Sequence, residues 1–469
     1  MNPALPPVIP TPARRRLWLF MKIAGIGLLI VFLHIPLAMT NGVLRERQSY
    51  QAQATEEIAE TWGQSQQVTG PVLLVPWTQT RQRTVRKLIS EGKYADAQEI
   101  YTITGLAYFL PAKLEVTAKI DPEIRYRGIY DSVVYAATVQ LNGTFKPVET
   151  ETDLLPAEFH WSQARVHLGC TDLRRLRTAP ALTSGGQSNS FSSDLKKEAG
   201  ELVLTAPLAS VVGGQEIAFA IELNLQGSKK LSISPIGKQT TIVVNSSWAD
   251  PSFVGAQLPI QRSTGAEGFS ARWELGPYGR SYPWTWTSGG VTASVILSQL
   301  GEGGFGVQLM QPVNGYSMAE RAQKYGVLFF VLIFAVFFLF EITSGLRIHP
   351  LQYAMVGAAL SLFFLGFLAL TEFWTTAVAY GTTAAACTLL VSLYAWSFLQ
   401  TGRRTLVIGG GLGATYGYLY FVLKSQDYAL VAGTAALFAA LALVMFCTRR
   451  LNWYAIDLPS TEKAEPVNQ

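Results

Sequence analysis

The amino-acid sequence predicts a membrane protein in three parts: one N-terminal transmembrane helix, a large, mainly antiparallel β domain of sandwich-like build, and a C-terminal bundle of five transmembrane helices. Three observations predict it. Only 15% of the 469 residues are charged, against roughly 25% in ordinary soluble domains. The deficit is concentrated in residues 324–448, which are almost free of charge, while a second apolar run follows three arginines near the N-terminus. Between the two, residues 43–323 have the polarity of a soluble domain and carry many short strand-like segments separated by turn residues, the pattern of a sandwich or barrel.

Residues 1–16 are proline-rich and then basic, and are expected to be a disordered cytoplasmic N-terminus. An apolar run of about 20 residues is what a helix needs to cross roughly 30 Å of hydrocarbon, and residues 17–40 supply one. The run is long for a signal peptide and lacks a small-x-small site before Asn41, so an uncleaved anchor is expected. Lys22 is expected to snorkel to the headgroups. His34 is read as an interfacial residue near the far end. Residues 43–64 extend this helix in polar form, with Tyr50, Ala54, Ile58 and Trp62 at i+4 spacing on one face, and Gly70–Pro71 are expected to stop it. VLLVPW (72–77) reads as the first strand. Strand-like runs continue to about residue 310, among them AIELNL, which alternates apolar and polar. Turn clusters separate them, and SGGQSNSFSS (184–193) reads as a mobile loop. The domain holds a single cysteine, Cys170, so no internal disulfide is expected there; a small apolar packing role is. The later spans are read at 325–342, 351–370, 373–399, 405–423 and 428–447, followed by a cytoplasmic tail, 449–469.

The net charge of +5 falls in short clusters that flank apolar runs rather than in a basic stripe, which argues against nucleic acid. Threading six spans in order places Arg14, Arg15, Arg16, Arg347, Arg403, Arg404, Arg449 and Arg450 on one side. The opposite short loops hold only Glu372 and Lys424 to Asp427. An excess of Lys and Arg marks the cytoplasmic side, so both termini are expected inside and residues 43–323 outside. The bilayer is the one partner this reading identifies directly.

Few residues invite chemistry. Gly409, Gly413 and Gly417 lie four apart in the fifth span, and such spacing lets helix backbones approach closely. A nucleotide-binding loop would need a preceding strand. Glu341 is ionisable within a span, which makes it a candidate functional residue by default, with Arg347 as the nearby structural partner. His160 and His167 are seven apart, so on one strand they would face opposite sides, and with Glu158 they make too few ligands for zinc. Trp284 and Trp286 share a face and read as core packing, with sugar stacking as the alternative. No GxSxG, HExxH or CxxC occurs, and neither a cofactor nor a catalytic residue is expected.

Several segments resemble the CreD family of cell-envelope integrity inner-membrane proteins: GPVLLVPW (70–77), RYRGIYDSVVY (125–135), SSWADPSFVGAQLP (246–259), GFSARWEL (268–275), QPVNGYSMAERAQKYGVLFF (311–330), FEITSGLRIHPLQYAMVGAALSLFFLGFLAL (340–370) and LNWYAIDL (451–458). They follow in order along nearly the whole chain. At Asp172-Leu-Arg174-Arg175 the chain departs from the family's Asp-x-Arg-Gly, and Asp172 and Arg174 are kept as candidate functional residues. The resemblance implies a Gram-negative inner membrane, a periplasmic domain and a role in envelope stability tied to a two-component stress regulon, colicin tolerance and β-lactam susceptibility. It supplies no chemistry. The expected function is a non-enzymatic envelope protein whose outer domain binds an envelope protein or wall component. The alternatives are an envelope enzyme acting on peptidoglycan or lipid, and a transporter or channel. A carboxylate or histidine cluster in an outer cleft would mark the enzyme, and a polar cavity between spans the transporter.

Overall fold

The computed structural model describes residues 12–90, 93–147, 157–198, 201–208, 214–278, 282–288, 299–310, 315–344, 348–399, 401–424 and 429–449. The chain divides into a membrane unit, Met1–Tyr50 with Val313–Gln469, and a β unit, Gln51–Pro312.

Besides a helical turn at 299–302, seven helices are described. They are α1 (Pro12–Trp62), α2 (Gly315–Lys324), α3 (Gly326–Ser344), α4 (Pro350–Leu370), α5 (Thr376–Leu399), α6 (Gly402–Lys424) and α7 (Ala429–Thr448). Among the described residues α1, α4, α5 and α6 are each long and apolar enough to cross a membrane, and α2 with α3, bent by 51°, is apolar and long enough only as a pair, the form of a broken span or of a re-entrant loop. The sequence-predicted second span therefore has an amphipathic helix before it. The first eleven residues lie outside the described ones, but Pro12–Arg16, expected to be disordered, are helical: proline suits a first helical turn, and Ala and Arg are good helix formers. Within the membrane unit α1 buries Leu33, Leu37, Thr40 and Leu44, a stripe at helical spacing, and turns its large side chains such as Phe20, Val31 and Met39 outward, as a lipid-facing helix should. The centre of the bundle is aromatic. Phe363 meets Tyr416 at 4.6 Å and Tyr380 at 5.3 Å between ring centres.

The β unit holds eighteen described strands: β1 (Gln66–Ser90), β2 (Lys93–Phe109), β3 (Lys113–Arg127), β4 (Tyr130–Phe145), β5 (Glu158–Phe159), β6 (Arg165–Cys170), β7 (Ala181–Ser184), β8 (Gln187–Ser190), β9 (Ser192–Glu198), β10 (Glu201–Pro207), β11 (Ile217–Ser228), β12 (Lys230–Ile233), β13 (Gln239–Ser246), β14 (Pro251–Gly255), β15 (Gln261–Gly265), β16 (Gly268–Leu275), β17 (Thr285–Thr287) and β18 (Phe305–Leu309). One sheet runs β14-β18-β12-β1-β6-β10-β9, with β2 and β5 paired to β1 and β17 paired to β2; the other runs β15-β16-β13-β3-β4-β11-β7-β8. Pairing is antiparallel except for β1 with β12 and β3 with β13. On β3, Leu114, Val116, Ala118 and Ile120 are buried while Lys113, Glu115, Thr117 and Lys119 are exposed, the period-two pattern of a half-buried strand. Both sheets contribute to one core with Tyr135, Phe145, Trp273 and Phe305 fully buried.

Three expectations change. The helix α1 ends at Trp62, not at Gly70–Pro71. Gly63 has φ +150°, and a Cβ there would meet the Gln226 carbonyl oxygen at 2.7 Å, so only glycine lets the chain turn out of the helix at that point. Gly70–Pro71 instead sit inside β1, where its register against β6 shifts between Thr69 and Val72, the usual place of Gly and Pro in a strand. Residues 184–193 are not a loop. Ser184 pairs with Gln187 across Gly185 and Gly186, at φ +57° and +80°, a two-residue hairpin turn that needs positive φ at both positions. VTASVIL (291–297), one of the strand-like runs before residue 310, lies outside the described residues. The pair β1–β2, in register from Leu73↔Phe109 to Leu88↔Tyr94, runs on past the sheet as a two-stranded ribbon, exposed along Thr80–Thr84, that the sequence pattern did not mark.

Candidate functional site

Glu341 lies near the end of α3, and its carboxylate is buried. A bare carboxylate in that place would be strongly unfavourable, and three groups meet the need. Lys22 of α1 forms an ion pair with Glu341 Oε1. Ile348 N–H donates to the same oxygen at 3.2 Å, and the Tyr353 hydroxyl of α4 donates to Oε2 at 2.9 Å. Lys22 Nζ also donates to the Ile348 carbonyl at 2.9 Å and stands 5.6 Å from the centre of the Tyr353 ring. The side chains of the pair are 7% and 5% exposed. Lys22 does not snorkel away: packing of α1 on α3 and α4 brings a counter-ion to it. The Arg347 expected beside Glu341 lies outside the described residues. No spacing rule could have joined Lys22 to a partner 319 positions away.

A second polar set sits further along α1. Arg47 pairs with Glu372 at 3.3 Å, Tyr316 of α2 donates to the same carboxylate at 3.4 Å, and Gln48 donates to Glu320 at 3.4 Å. Two separate polar clusters therefore bind α1 to the bundle, with an apolar stripe between them.

The glycines that admit α1 are Gly326 and Gly357. A Cβ on Gly326 would lie 3.0 Å from Leu37, and one on Gly357 would collide with Leu33. In the candidate row on α6, a Cβ on Gly409 would lie 2.7 Å from Ser392 Oγ, whereas among the described residues nothing stands within 4 Å of a Cβ on Gly413 or Gly417. Close backbone approach within the chain thus occurs at Gly409 and not at the other two. They line an open groove of about 740 Å³ along the α5–α6 seam.

In the β unit, Asp172 is buried and caps the short turn Leu173–Arg175. Its carboxylate accepts from Arg174 N at 3.1 Å and Arg174 Nε at 3.0 Å. Arg175 donates to the Glu60 carbonyl at 2.7 Å. That carbonyl belongs to the last turn of α1, whose final C=O groups lack helical partners, and a cation there also suits the helix dipole. Nearby, Trp62 Nε1 donates to Tyr135 O at 3.2 Å, Arg125 covers the Trp62 ring at 4.2 Å, and Arg127 pairs with Glu57. Burial pushes the Tyr135 hydroxyl far above the ordinary tyrosine range, so it stays a donor, to the Lys230 carbonyl at 2.7 Å. The Asp172 set therefore acts as a turn cap and helix clamp.

The remaining candidates are dispersed. His160 bonds Thr78 at 3.2 Å and precedes the turn Trp161–Gln163, while His167 is on β6, so the two do not share a strand. Trp286 is buried and stacks on Tyr108 at 5.0 Å, and Trp284 packs partly buried against the core. Cys170 is buried in the core. Among the described residues, no group of three His, Cys, Asp or Glu side chains is placed to hold a metal.

A sequence model of the family described as inner membrane protein CreD matches residues 18–454. The inner membrane protein CreD of Escherichia coli (strain K12) is 27% identical over 450 residues, which cover 96% of this chain and 97% of that one. Among solved structures, native yeast LTA4 hydrolase superposes with a TM-score of 0.18 and 9% identity, over 36% of this chain and 28% of that chain, a likeness too slight to carry an argument.

Proposed function

The chain belongs to the CreD family of inner membrane proteins, and from that membership we propose that it supports cell-envelope integrity and stress tolerance without catalysing a reaction, its β unit standing in the periplasm and binding an envelope protein or wall component. The arginine clusters support this orientation, because they alternate with the spans as the positive-inside rule requires.

One observation carries the reading. The first helix is a built-in member of the bundle, held by a buried ion pair and by glycines that admit its leucines. A mere tether needs no such fit. With Met1–Tyr50 and Val313–Gln469 in one unit, the β unit leaves and re-enters the same membrane body, which suits a protein that couples the membrane to something outside it. An enzyme working wholly in the β unit would need the membrane only for location, and turnover tolerates dilution. A binding protein relies on tethering to raise its effective concentration. The test is complementation of a strain lacking the gene. The full chain restores envelope tolerance, whereas the β unit secreted alone, or carried on α1 without α2–α7, does not, with all forms shown to be stable and abundant. Rescue by the secreted β unit would overturn the reading in favour of an enzyme.

A further inference from the structure

From Thr80 to Arg86 and from Asp96 to Thr104, β1 and β2 pair only with each other among the described residues. This stretch is a ribbon two strands wide with both edges open. Such a ribbon is marginally stable in water and gains from further strands, and an open edge offers unpaired N–H and C=O groups to any strand that reaches it. The two edges are not alike. The β1 edge strand carries Arg81, Arg83 and Arg86, the kind of charged edge that resists pairing. The β2 edge strand from Gln98 to Thr104 reads Gln-Glu-Ile-Tyr-Thr-Ile-Thr, rich in the β-branched and aromatic residues that favour strands. Its one charge, Glu99, is held by Arg83 through Nε at 3.0 Å and Nη2 at 2.9 Å. Beside it Ile100 is 64% exposed, an apolar side chain left in water on an edge that nothing protects.

We propose that β2 pairs antiparallel with β2 of a second copy of this chain, the two ribbons joining into one four-stranded sheet about a two-fold axis at Ile100. The match of this edge to itself commits the occupant. Residues directly opposite in an antiparallel pair share a face and touch. With Ile100 opposite Ile100 of the second copy, Ala97 faces Ile103, Gln98 faces Thr102, Asp96 faces Thr104 and Glu99 faces Tyr101. Apolar meets apolar along the axis, polar meets polar on the exposed face, and no two like charges stand opposite. Moving the axis by one residue, to Tyr101, sets Glu99 against Ile103 and loses the match. On the β1 edge a second copy centred at Gln82 or Arg83 sets arginine against arginine, which is unfavourable. A strongly charged strand from another protein would gain little from an edge whose carboxylate is already held. The contact is narrow, and confinement of both copies to one membrane supplies the effective concentration it needs. The inference uses neither the orientation nor the function proposed above.

The test is disulfide linking of the full chain in isolated membranes with copper phenanthroline as the oxidant. Cys447 is replaced by alanine, and Cys170 and Cys387 are buried. Ile100→Cys links the chain to twice its mass, whereas Thr84→Cys, exposed on β1, links no more than the control without oxidant. The register has its own readout. Differently tagged copies carrying Gln98→Cys and Thr102→Cys link to each other, and neither links to its own kind. Adding Ile100→Lys to both copies sets two ammonium groups opposite one another and lowers the mixed link by about fivefold. Ile100 is exposed, so that change leaves the melting temperature of the chain in detergent as in the parent. No link at Ile100, an equal link at Thr84, like-with-like links as strong as the mixed one, a mixed link indifferent to Ile100→Lys, or Ile100→Cys joined to a different protein would each overturn the inference.

Discussion

At Glu341 the energetic question is what removing one partner does. Breaking a buried ion pair by deleting one side leaves an uncompensated charge and costs about 3–5 kcal/mol, whereas replacing both partners with apolar groups of similar volume is often neutral. Lys22→Met should therefore lower thermal stability in detergent sharply, and Lys22→Met with Glu341→Leu should recover most of the loss. A double variant no more stable than the single would mean that the pair does not join α1 to the bundle. Tyr353→Phe removes one donor and should cost about 1–3 kcal/mol. Arg175 is a milder case: Arg175→Gly should lose the clamp on the Glu60 carbonyl and about 0.3–1 kcal/mol, seen in the melting of the full chain. Glu341 was legible in the sequence because a charge in a span stands out. Its partner was not, because long-range pairing leaves no periodic trace. Asp172 was legible only as a family motif, and its capping role shows only in the fold.

Between helices, the glycines divide by what they face. Gly357 meets Leu33 and Gly326 meets Leu37, so a bulky side chain at either must push α1 away, and overpacking of this kind costs about 1–3 kcal/mol. Gly357→Leu should lower the melting temperature and the yield of folded protein. Gly413→Leu, on an open face, should leave both near the parent values when the chain is monomeric in detergent. The reverse ranking would show that α6, rather than α1, makes the tight contact. The four-residue spacing on α6 drew attention because it is a sequence pattern, yet spacing alone does not say which side of a helix has a neighbour. Gly326 and Gly357 stand singly and give no such pattern. In the β unit the same limit applies to turns. The run of Gly and Ser at 184–193 signals a break in regular structure, and only the positive φ of Gly185 and Gly186 shows that it is a hairpin.

For the whole molecule, the apolar helices were legible because the bilayer imposes a length of about 20 apolar residues that nothing in water requires, and α3 to α7 coincide closely with the runs read from the sequence. Strand order was not legible: β1 pairs with β12 at Gln66↔Leu231 and β3 with β13 at Gln239↔Lys113, both parallel, while period-two alternation reports burial and not direction or partner. The bend of 51° between α2 and α3 raises the one topological choice that changes everything after it. If the bent pair crosses the bilayer, Arg403 and Arg404 lie inside; if it turns back, α4 to α7 all reverse and those arginines lie outside. The ion pair favours crossing. Lys22 sits two turns from the arginines at the start of α1, and Glu341 lies fifteen residues, about 22 Å of helix, beyond Gly326, so their contact brings the far end of α3 back to the side where α1 began. A periplasm-active reporter fused after residue 200 should therefore be active, and one fused after 402 or 460 inactive. Activity at 402 together with 460 would show that the pair is re-entrant, because only that change moves both sites across the membrane while leaving residue 200 where it is.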